Sequence, residues 1–203
     1  MISVLLADDH KIVRDGLKRI LCAHGDIEVA EAASGDEALA LVKANDYDVA
    51  MLDMSMPGLS GIELIKRLRI EKPKLRILVL SMHGEHQYAA RALKAGASGY
   101  LTKDSAAEQM VGALRKIAAG GVHISEAAAA GLVASERAPH QGLSDREFEV
   151  LRLLVAGQSP TAIADRLHLS VKTVSTHKTR ILEKLNLHST ADLVRYAVEN
   201  KIS

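Results

Sequence analysis

Four short strand-like runs in the first half of this 203-residue chain end on side chains that can do chemistry. They are Ile2–Ala7 before Asp8 and Asp9, Val49–Leu52 before Asp53, Ile77–Leu80 before Ser81, and Gly99–Thr102 before Lys103. In an open parallel sheet, ligands bind outside the carboxyl ends of the strands. We therefore expect these five polar side chains to meet in one pocket, although the chain separates them widely.

The same runs alternate with amphipathic segments up to about residue 120. Strands are predicted at Ile2–Ala7, Ile27–Ala33, Asp48–Asp53, Arg76–Ser81 and Gly99–Thr102, and helices at Val13–His24, Asp36–Ala44, Gly61–Ile70, His86–Ala95 and Ala106–Ala119. Five strand–helix units predict a doubly wound α/β domain. The second run carries Glu28 and Glu31 and is typical of an edge strand. That order favours the flavodoxin-like arrangement, with the first and third strands at the switch point.

The composition is typical of a globular protein and indicates no particular binding partner. Hydrophobic residues make up 48% of the chain and the formal charge is +1, so a core is available but no charged partner is indicated. The single cysteine, Cys22, lies in an apolar helical pattern and is predicted to be a buried thiol, which fits a reducing compartment. There is no signal-peptide pattern and no run of about 20 apolar residues, so we expect a cytoplasmic protein without a membrane partner.

The second half of the chain is predicted to be wholly helical. Gly120 and Gly121 end the last α/β helix, and an alanine-rich stretch, 126–135, predicts a short helix within a linker. Ser144, with Glu147 three residues later, has the pattern of a capping box at a helix start. The predicted organisation is an α/β domain at 1–120, a linker at 121–141 and a four-helix domain at 142–203.

Three carboxylates beside an ammonium group indicate a site for a divalent cation and a phosphoryl group. Ionising Asp8, Asp9 and Asp53 together is costly without a cation, and Mg²⁺ prefers carboxylate oxygens, waters and phosphate. Asp9 and Asp53 are the expected direct ligands, with Asp8 acting through a water. A carboxylate such as Asp53 can act as a nucleophile toward phosphorus, while Ser81 and Lys103 are expected to hold phosphoryl oxygens. Each of these residues alone would more often be a helix cap or a surface group. Their occurrence together, all at the carboxyl ends of predicted strands, favours the pocket.

Residues 1–120 resemble a two-component receiver domain. The resemblance rests on the Asp8–Asp9 pair, on Asp53 followed by Met56, Pro57 and Gly58, and on Ser81 and Lys103. It implies that Asp53 accepts a phosphoryl group from the phosphohistidine of a sensor histidine kinase, with Mg²⁺ required and the Ser55 backbone carbonyl among the metal ligands. It also implies that Tyr100 is a switch aromatic that turns inward with Ser81; the alternative is an edge-strand tyrosine packed on a helix.

Two positions depart from the receiver pattern. Many receivers carry a proline after the lysine, where this chain has Asp104, and a small residue after the hydroxyl, where it has Met82. Because Met82 is bulky, we hypothesise that it shields the phosphoryl group and slows its exchange. Unchanged phosphorylation and hydrolysis rates in Met82→Ala would contradict that hypothesis.

Two of the C-terminal helices have the spacing of a helix-turn-helix, which spans about Thr161 to Arg180. A short helix, Thr161–Leu167, and a longer one, Val171–Leu185, are joined by a tight turn, 168–170. The longer helix has one apolar face: Val174, Ile181, Leu182 and Leu185. The helix is locally basic, as expected for phosphate contacts, because Lys172, Lys178, Arg180 and Lys184 face a single acid, Glu183. Its candidate DNA-binding residues are Lys172, Thr173, Ser175, Thr176, His177, Lys178, Thr179 and Arg180. A solvated helix in a bundle is the alternative.

Residues 142–203 resemble the LuxR-type DNA-binding domain. The matching motifs are Leu143–Glu147, Ile163–Ala164, Leu169–Val174, Thr176–His177 and Lys184–Leu185. The resemblance implies contacts of Ser175, Thr176 and Thr179 with base edges, and of Lys172, Lys178 and Arg180 with phosphates. The final helix, Thr190–Val198, is predicted to pack by Ala191, Leu193, Val194 and Ala197, either within its own domain or against a second copy.

Together the two resemblances imply a NarL/FixJ-type response regulator. Its expected partners are double-stranded DNA, a sensor histidine kinase and, after phosphorylation, a second copy of the chain. It is not expected to be an enzyme beyond self-catalysed phosphoryl acceptance and hydrolysis. A phosphatase-like hydrolase is disfavoured because Ser55 stands where such enzymes need a second acid. A DNA-binding regulator that works without phosphorylation stays the alternative.

Overall fold

The computed structural model describes residues 1–59, 61–81, 86–103, 105, 107–124, 139–200 and 202. The chain divides between residues 129 and 130 into two compact units. The predicted linker helix, Met82 and Asp104 all lie outside the described residues.

The first unit contains a parallel sheet, and its described strands number five. They are β1 (Ile2–Ala7), β2 (Ile27–Ala32), β3 (Val49–Asp53), β4 (Arg76–Ser81) and β5 (Gly99–Thr102). Their order in the sheet is β2-β1-β3-β4-β5, so β2 lies at an edge and β1 is hydrogen-bonded to β3. This arrangement confirms the predicted flavodoxin-like fold.

Helices cover both faces of this sheet, as the apolar character of the central strands predicts. The described helices of the unit are α1 (Lys11–Cys22), α2 (Gly35–Ala44), α3 (Gly61–Glu71), α4 (His86–Lys94) and α5 (Ala107–Ala118). Every residue of β3 is buried, as is β4 after Arg76. One core cluster joins strand residues such as Leu6 and Met51 to Leu114 and Ile117 of α5. The sheet edge that carries the polar residues is thus fixed by a packed interior.

The prediction of a buried Cys22 is wrong. The thiol is exposed at the last residue of α1. The core-facing positions of α1 are Leu17 and Leu21, which are 7% and 0% exposed. Cys22 follows Leu21 by one residue, so it is turned by about 100° from the buried stripe. α1 also begins two residues before, and ends two residues before, the predicted helix.

The second unit is helical throughout its described residues. A 3-10 turn at Pro139–Gly142 precedes α6 (Asp145–Val155), α7 (Pro160–Leu167), α8 (Val171–Leu185) and α9 (Thr190–Glu199). A serine caps each helix and accepts a hydrogen bond from a backbone N–H in the first turn: Ser144, Ser159, Ser170 and Ser189. The reciprocal capping box of Ser144 and Glu147 is present, as predicted. These caps satisfy N–H groups that a helix start otherwise leaves unpaired.

The packing predicted for the final helix is half right. Leu193 and Ala197 are fully buried, but Ala191 is exposed and Val194 is 38% exposed. Val194 and Val198, four residues apart, lie together on the outer side of α9, with Val198 72% exposed. The helix therefore packs within its own unit by a narrower stripe than predicted and leaves a second apolar stripe uncovered.

Within the described part of the chain, the length and hydropathy of every helix fall short of what crossing a bilayer requires.

Candidate functional site

The carboxyl ends of β1, β3 and β5 bring their polar residues into one cluster, in which Asp8 and Asp53 are buried, Asp9 is half-buried and His10 is exposed. One ligand atom from each of Asp8, Asp9, His10 and Asp53 lies within 4.8 Å of the others. The Lys103 Nζ atom lies 2.5 Å from Asp8 Oδ2 and 2.9 Å from Asp53 Oδ2. Because β1 and β3 are neighbours, acids that are about 45 residues apart in the chain become adjacent.

Backbone groups hold the two buried carboxylates in place. The Ser55 N–H donates to Asp53 Oδ1 at 3.1 Å, and the His10 N–H donates to Asp8 Oδ1 at 2.8 Å. Asp8 is 0% exposed and Asp53 1% exposed. Each carboxylate thus accepts a hydrogen bond from the second residue after it, so the chain fixes its orientation locally.

Ser81 and Lys103 lie at the ends of neighbouring strands. Ser81 is the last residue of β4 and is buried, and its carbonyl accepts a hydrogen bond from the Lys103 N–H at 2.7 Å. Lys103 directly follows β5, and its side chain is 8% exposed. The hydroxyl and the ammonium therefore lie on the same sheet edge as the carboxylates.

Burial and the neighbouring charges have opposing effects on the pKa values of Asp53 and Lys103 in this pocket. Burial raises the pKa of Asp53; the Lys103 ammonium lowers it and the Asp8 carboxylate raises it, with a net upward shift. Burial acts to lower the pKa of Lys103, but its contacts with Asp8 and Asp53 outweigh that effect and its pKa is raised. Ionising Asp53 in this pocket therefore costs free energy, and a further positive charge nearby would reduce that cost.

The donor set fits a small hard cation. Asp9 Oδ1 and Asp53 Oδ2 are buried without a well-aligned hydrogen bond, although His10 Nδ1 and Lys103 Nζ each lie 2.9 Å from one of them. Carboxylate oxygens in an anionic pocket are the ligands that Mg²⁺ takes. Ser55 contacts Asp53 through its N–H, and the metal role of its carbonyl stays a prediction.

Sequence reasoning missed two residues at this edge. His10 Nδ1 lies 2.9 Å from Asp9 Oδ1 and 3.4 Å from Asp8 Oδ1, and the Arg14 guanidinium donates to the Asp8 carbonyl at 2.7 Å. The position of His10, directly after the two acids, was the available signal. Arg14 lies one helical turn later, on the same side of α1.

Tyr100 is buried on the strand beside the pocket. It is 4% exposed and alternates with Leu101, which belongs to the core cluster on the α5 side. Its N–H donates to the His123 carbonyl at 3.1 Å, so the segment after α5 runs along β5. Both a switch role and a packing role stay predictions for Tyr100.

The helix-turn-helix prediction describes α7 and α8 well. The turn is closed by His168, which adopts a left-handed conformation (φ 50°), and by the Leu169 N–H donating to the Ala164 carbonyl at 2.8 Å. Arg146 of α6 donates to the Leu167 carbonyl at 2.6 Å and to Glu149 at 2.7 Å. The end of α7 is therefore anchored to α6 just before the longer helix begins.

The outer face of α8 carries most of the predicted DNA contacts. Its exposed members are Lys172, Ser175, Thr176, Thr179 and Arg180; Thr173, His177 and Lys178 are half-buried. Val174, Ile181 and Leu185 are buried, as predicted, and Leu182 is half-buried. Lys184 of the same basic segment instead pairs with Glu147 at 2.7 Å and donates to the Gly142 carbonyl at 3.3 Å.

His177 is set apart from the exposed members of this helix. Its Nδ1 is enclosed without a hydrogen bond. Burial lowers the pKa of His177; Glu147 opposes that shift, and Arg146 and Arg180 add to it. His177 is therefore less available to DNA than Thr176 or Thr179, which are both exposed.

Sequence models of two protein families match the chain. The model for the response regulator receiver domain matches residues 4–115, and that for bacterial regulatory proteins of the luxR family matches residues 141–197. This chain belongs to the two-component response regulators. It carries a LuxR-type DNA-binding domain, as expected for the NarL/FixJ type.

Curated relatives match this response regulator over nearly its whole length. The response regulator UvrY of Escherichia coli is 35% identical over 207 residues, which cover 98% of this chain and 95% of the relative. The oxygen regulatory protein NreC of Staphylococcus epidermidis is 38% identical over 214 residues, covering 98% of each chain. The alignments thus extend over both units of the chain.

Solved structures of RcsB resemble this response regulator over both units. RcsB of Salmonella enterica serovar Typhimurium, bound to promoter rprA in the presence of the phosphomimetic BeF3⁻, superposes with a TM-score of 0.68 at 29% identity. The alignment covers 96% of this chain and 97% of RcsB. Another structure is an RcsB–DNA complex, with a TM-score of 0.62 at 30% identity, covering 97% and 98% of the two chains.

Proposed function

We propose that this response regulator controls transcription through phosphorylation of Asp53 by a sensor histidine kinase. The observation that carries the proposal is the position of Asp53, 1% exposed and 2.9 Å from the Lys103 ammonium, beside Asp8 and Asp9. A carboxylate that is desolvated and oriented in this way is a competent nucleophile toward phosphorus.

In the proposed step, an Asp53 carboxylate oxygen attacks the phosphorus of a phosphohistidine. The new O–P bond forms as the P–N bond breaks, and the electron pair stays on the imidazole nitrogen, which takes up a proton. Lys103 provides positive charge for one phosphoryl oxygen, and the Ser81 hydroxyl provides a hydrogen bond for another. The Ser55 N–H keeps Asp53 oriented.

Asp9 and Asp53, with Asp8 behind them, would hold Mg²⁺, with the Ser55 carbonyl as a further ligand. Bound there, Mg²⁺ would neutralise the acidic cluster and the incoming phosphoryl charge. Lys103 contacts both Asp8 and Asp53, at 2.5 and 2.9 Å, but its single positive charge offsets only one carboxylate, so the ionised cluster would keep a net negative charge for Mg²⁺ to neutralise. No turnover reaction is proposed beyond acceptance and hydrolysis of the phosphoryl group.

The proposed output is binding of a dimer to double-stranded DNA. The exposed face of α8 carries Lys172 and Arg180 beside three hydroxyl side chains, which suits entry into the major groove. The uncovered pair Val194 and Val198 on α9 offers an apolar surface for a second copy. Phosphorylation would shift a population toward the pairing form, with Ser81 and Tyr100 as the moving parts.

The test measures DNA binding and solution mass with and without acetyl phosphate and Mg²⁺. Wild type is compared with Asp53→Asn, which keeps the shape of the side chain but removes the nucleophile. We expect wild type alone to gain one phosphoryl group by mass spectrometry, to double its solution mass, and to bind DNA more tightly.

Equal DNA binding by both proteins, with or without the donor, would replace this proposal with a phosphorylation-independent regulator. If wild type gains the phosphoryl group but stays monomeric, phosphorylation of Asp53 would be supported and the proposed dimer would be wrong. Kinase specificity is tested separately, by phosphoryl transfer from purified sensor kinases to wild type and Asp53→Asn.

A further inference from the structure

Three hydroxyl groups on the exposed face of α8 all donate to the helix that carries them. Ser175 Oγ donates to the Val171 carbonyl at 3.0 Å, Thr176 Oγ1 to the Lys172 carbonyl at 2.9 Å, and Thr179 Oγ1 to the Ser175 carbonyl at 3.1 Å. The direction of each bond is unambiguous, because a carbonyl oxygen only accepts. All three residues are exposed.

A hydroxyl group has one proton and two acceptor lone pairs. In these three residues the proton is engaged within the helix, and the lone pairs are available on the outer surface. Donating to DNA would require breaking the internal hydrogen bond, so one bond would merely replace another. Accepting from DNA leaves the internal bond intact and adds a second, so accepting is the favoured mode.

We infer that Ser175, Thr176 and Thr179 read DNA as hydrogen-bond acceptors, and that they select bases with an exocyclic amino group in the major groove. This inference rests on the proposed DNA binding and specifies its base preference. In the major groove the amino donors are adenine N6 and cytosine N4, whereas guanine presents N7 and O6 acceptors. The hydroxyls therefore favour adenine or cytosine at the base edges they contact.

The cations on the same face complement this preference. Lys172 and Arg180 are exposed donors without acceptor atoms, so they suit phosphates or the acceptor edge of guanine. Lys184 is already paired with Glu147 and does not belong to this set. The outer face of α8 thus divides its contacts: hydroxyls accept from amino groups, and cations donate to acceptors.

The experiment selects binding sites from randomised duplexes with the full chain treated with acetyl phosphate and Mg²⁺. The best duplex is then rebuilt with base analogues: purine in place of single adenines, and 2-pyrimidinone in place of single cytosines, each of which removes only the amino group. Affinities are measured for wild type, Ser175→Ala, Thr176→Val and Thr179→Val. Thr176→Ser, which keeps the acceptor, is the matched control, and Thr190→Val on α9 controls for loss of a hydroxyl elsewhere.

We expect at least one analogue to weaken wild type by roughly 3- to 10-fold, the range of one hydrogen bond. That loss should vanish in the matching Val or Ala variant and persist in Thr176→Ser and Thr190→Val, as a double-mutant cycle requires for a direct contact. Analogue effects that are equal in wild type and in all three variants would overturn the inference. A further duplex set replaces single guanines with 7-deazaguanine, which lacks the N7 acceptor. A variant that loses sensitivity to that analogue would also overturn the inference, because the missing hydroxyl would then have been donating to guanine N7. Failure to select any sequence would overturn the proposed function itself, and the inference with it.

Discussion

The pocket of the receiver unit encloses its charged groups, whereas the outer face of α8 leaves its charged groups in water. Asp8, Asp53 and Lys103 expose 8% or less of their side chains, while Lys172 and Arg180 are exposed. Charges in the pocket are screened weakly and interact strongly with one another, but charges on α8 are screened by solvent and salt. The same residue types therefore have different energetic roles in the two regions.

The difference also concerns how each region is assembled. The pocket draws its residues from the ends of separate strands, so it exists only when the sheet is formed. The outer face of α8 comes from a single helix, and its residues are neighbours at helical spacing. Substitutions in the pocket can therefore change folding stability as well as phosphorylation, whereas substitutions on the exposed face of α8 should affect DNA binding alone.

The largest expected effect is that of Lys103→Ala on the stability of the receiver unit. Removing this ammonium leaves Asp8 and Asp53 buried without their cation, and breaking a buried ion pair from one side costs about 3–5 kcal/mol. Hydrogen exchange of the β1 and β3 amides, followed by mass spectrometry of the full chain, reports the loss locally. Mg²⁺ should restore part of it, because the cation binds only the folded cluster.

A matched lysine tests the comparison directly. Lys11→Ala removes an exposed lysine from the first turn of α1 in the same unit, and it should change the unfolding free energy by no more than about 0.5 kcal/mol. If Lys103→Ala were equally mild, the contacts of 2.5 and 2.9 Å would not stabilise the pocket, and the distinction between buried and exposed charge would fail.

The second expected effect concerns Glu147, a buried acid of the helical unit that pairs with the exposed Lys184. Burial acts to raise the pKa of Glu147, but hydrogen bonds from Lys184 and Ser144 outweigh that effect and lower it. Because the pKa of Glu147 is lower in the folded unit than in the unfolded chain, ionised Glu147 stabilises the fold at pH values above its unfolded pKa. This stabilisation is lost as the pH falls through the folded pKa. Glu147→Gln should cost about 1.5–3 kcal/mol at pH 7 and remove that part of the acid sensitivity.

Amide exchange in α6 and α8 between pH 4 and pH 7 measures this effect. The control is Glu183→Gln, which removes an exposed acid from α8. An acid sensitivity that is the same in Glu147→Gln and in wild type would show that the pair with Lys184 does not stabilise the unit.

The third expected effect has the opposite sign. Because burial raises the folded pKa of Asp53, its stabilising contribution is greatest below the unfolded pKa and is lost as pH rises through the folded pKa. Without a metal ion, Asp53→Asn should therefore leave stability at pH 7 unchanged or slightly higher, while abolishing phosphorylation. Unfolding in urea with EDTA, at pH 5 and pH 8, compares the two proteins. A clear loss of stability in Asp53→Asn would mean that attraction to Lys103 outweighs burial.

Sequence patterns predicted the fold and the position of the pocket because topology forces them. Once five strand–helix units are recognised, Asp8, Asp53, Ser81 and Lys103 must follow parallel strands at one edge of the sheet. The side-chain contacts at that edge could not be predicted from the sequence. Nothing in the chain indicates that Lys103 contacts both Asp8 and Asp53, or that His10 turns toward Asp9. Such contacts depend on rotamers and on local turns.

Helix faces were predicted less well where the apolar pattern is ambiguous. Cys22 and Val194 each neighbour a buried leucine in the chain, yet both are exposed, because adjacent residues of a helix point in different directions. The engagement of Lys184 with Glu147 was also missed, since a basic helix gives no sign of which cation is paired internally. Hydrophobic periodicity identifies the buried stripe but not its exact edges.

The smallest effect on folding is expected from Lys172→Ala, on the exposed face of α8. Because this side chain lies in water, its removal should change the unfolding free energy by no more than about 0.5 kcal/mol. Its predicted contribution to DNA binding is instead a phosphate contact, so the slope of log affinity against log salt should become shallower by about 0.9, equally for all sequences. Affinities for one selected and one unrelated duplex, measured from low to moderate salt, distinguish a phosphate contact from a contact with a base edge. A change confined to the selected duplex would mean that Lys172 reads a base edge, and the face would then discriminate by its cations as well as by its hydroxyls.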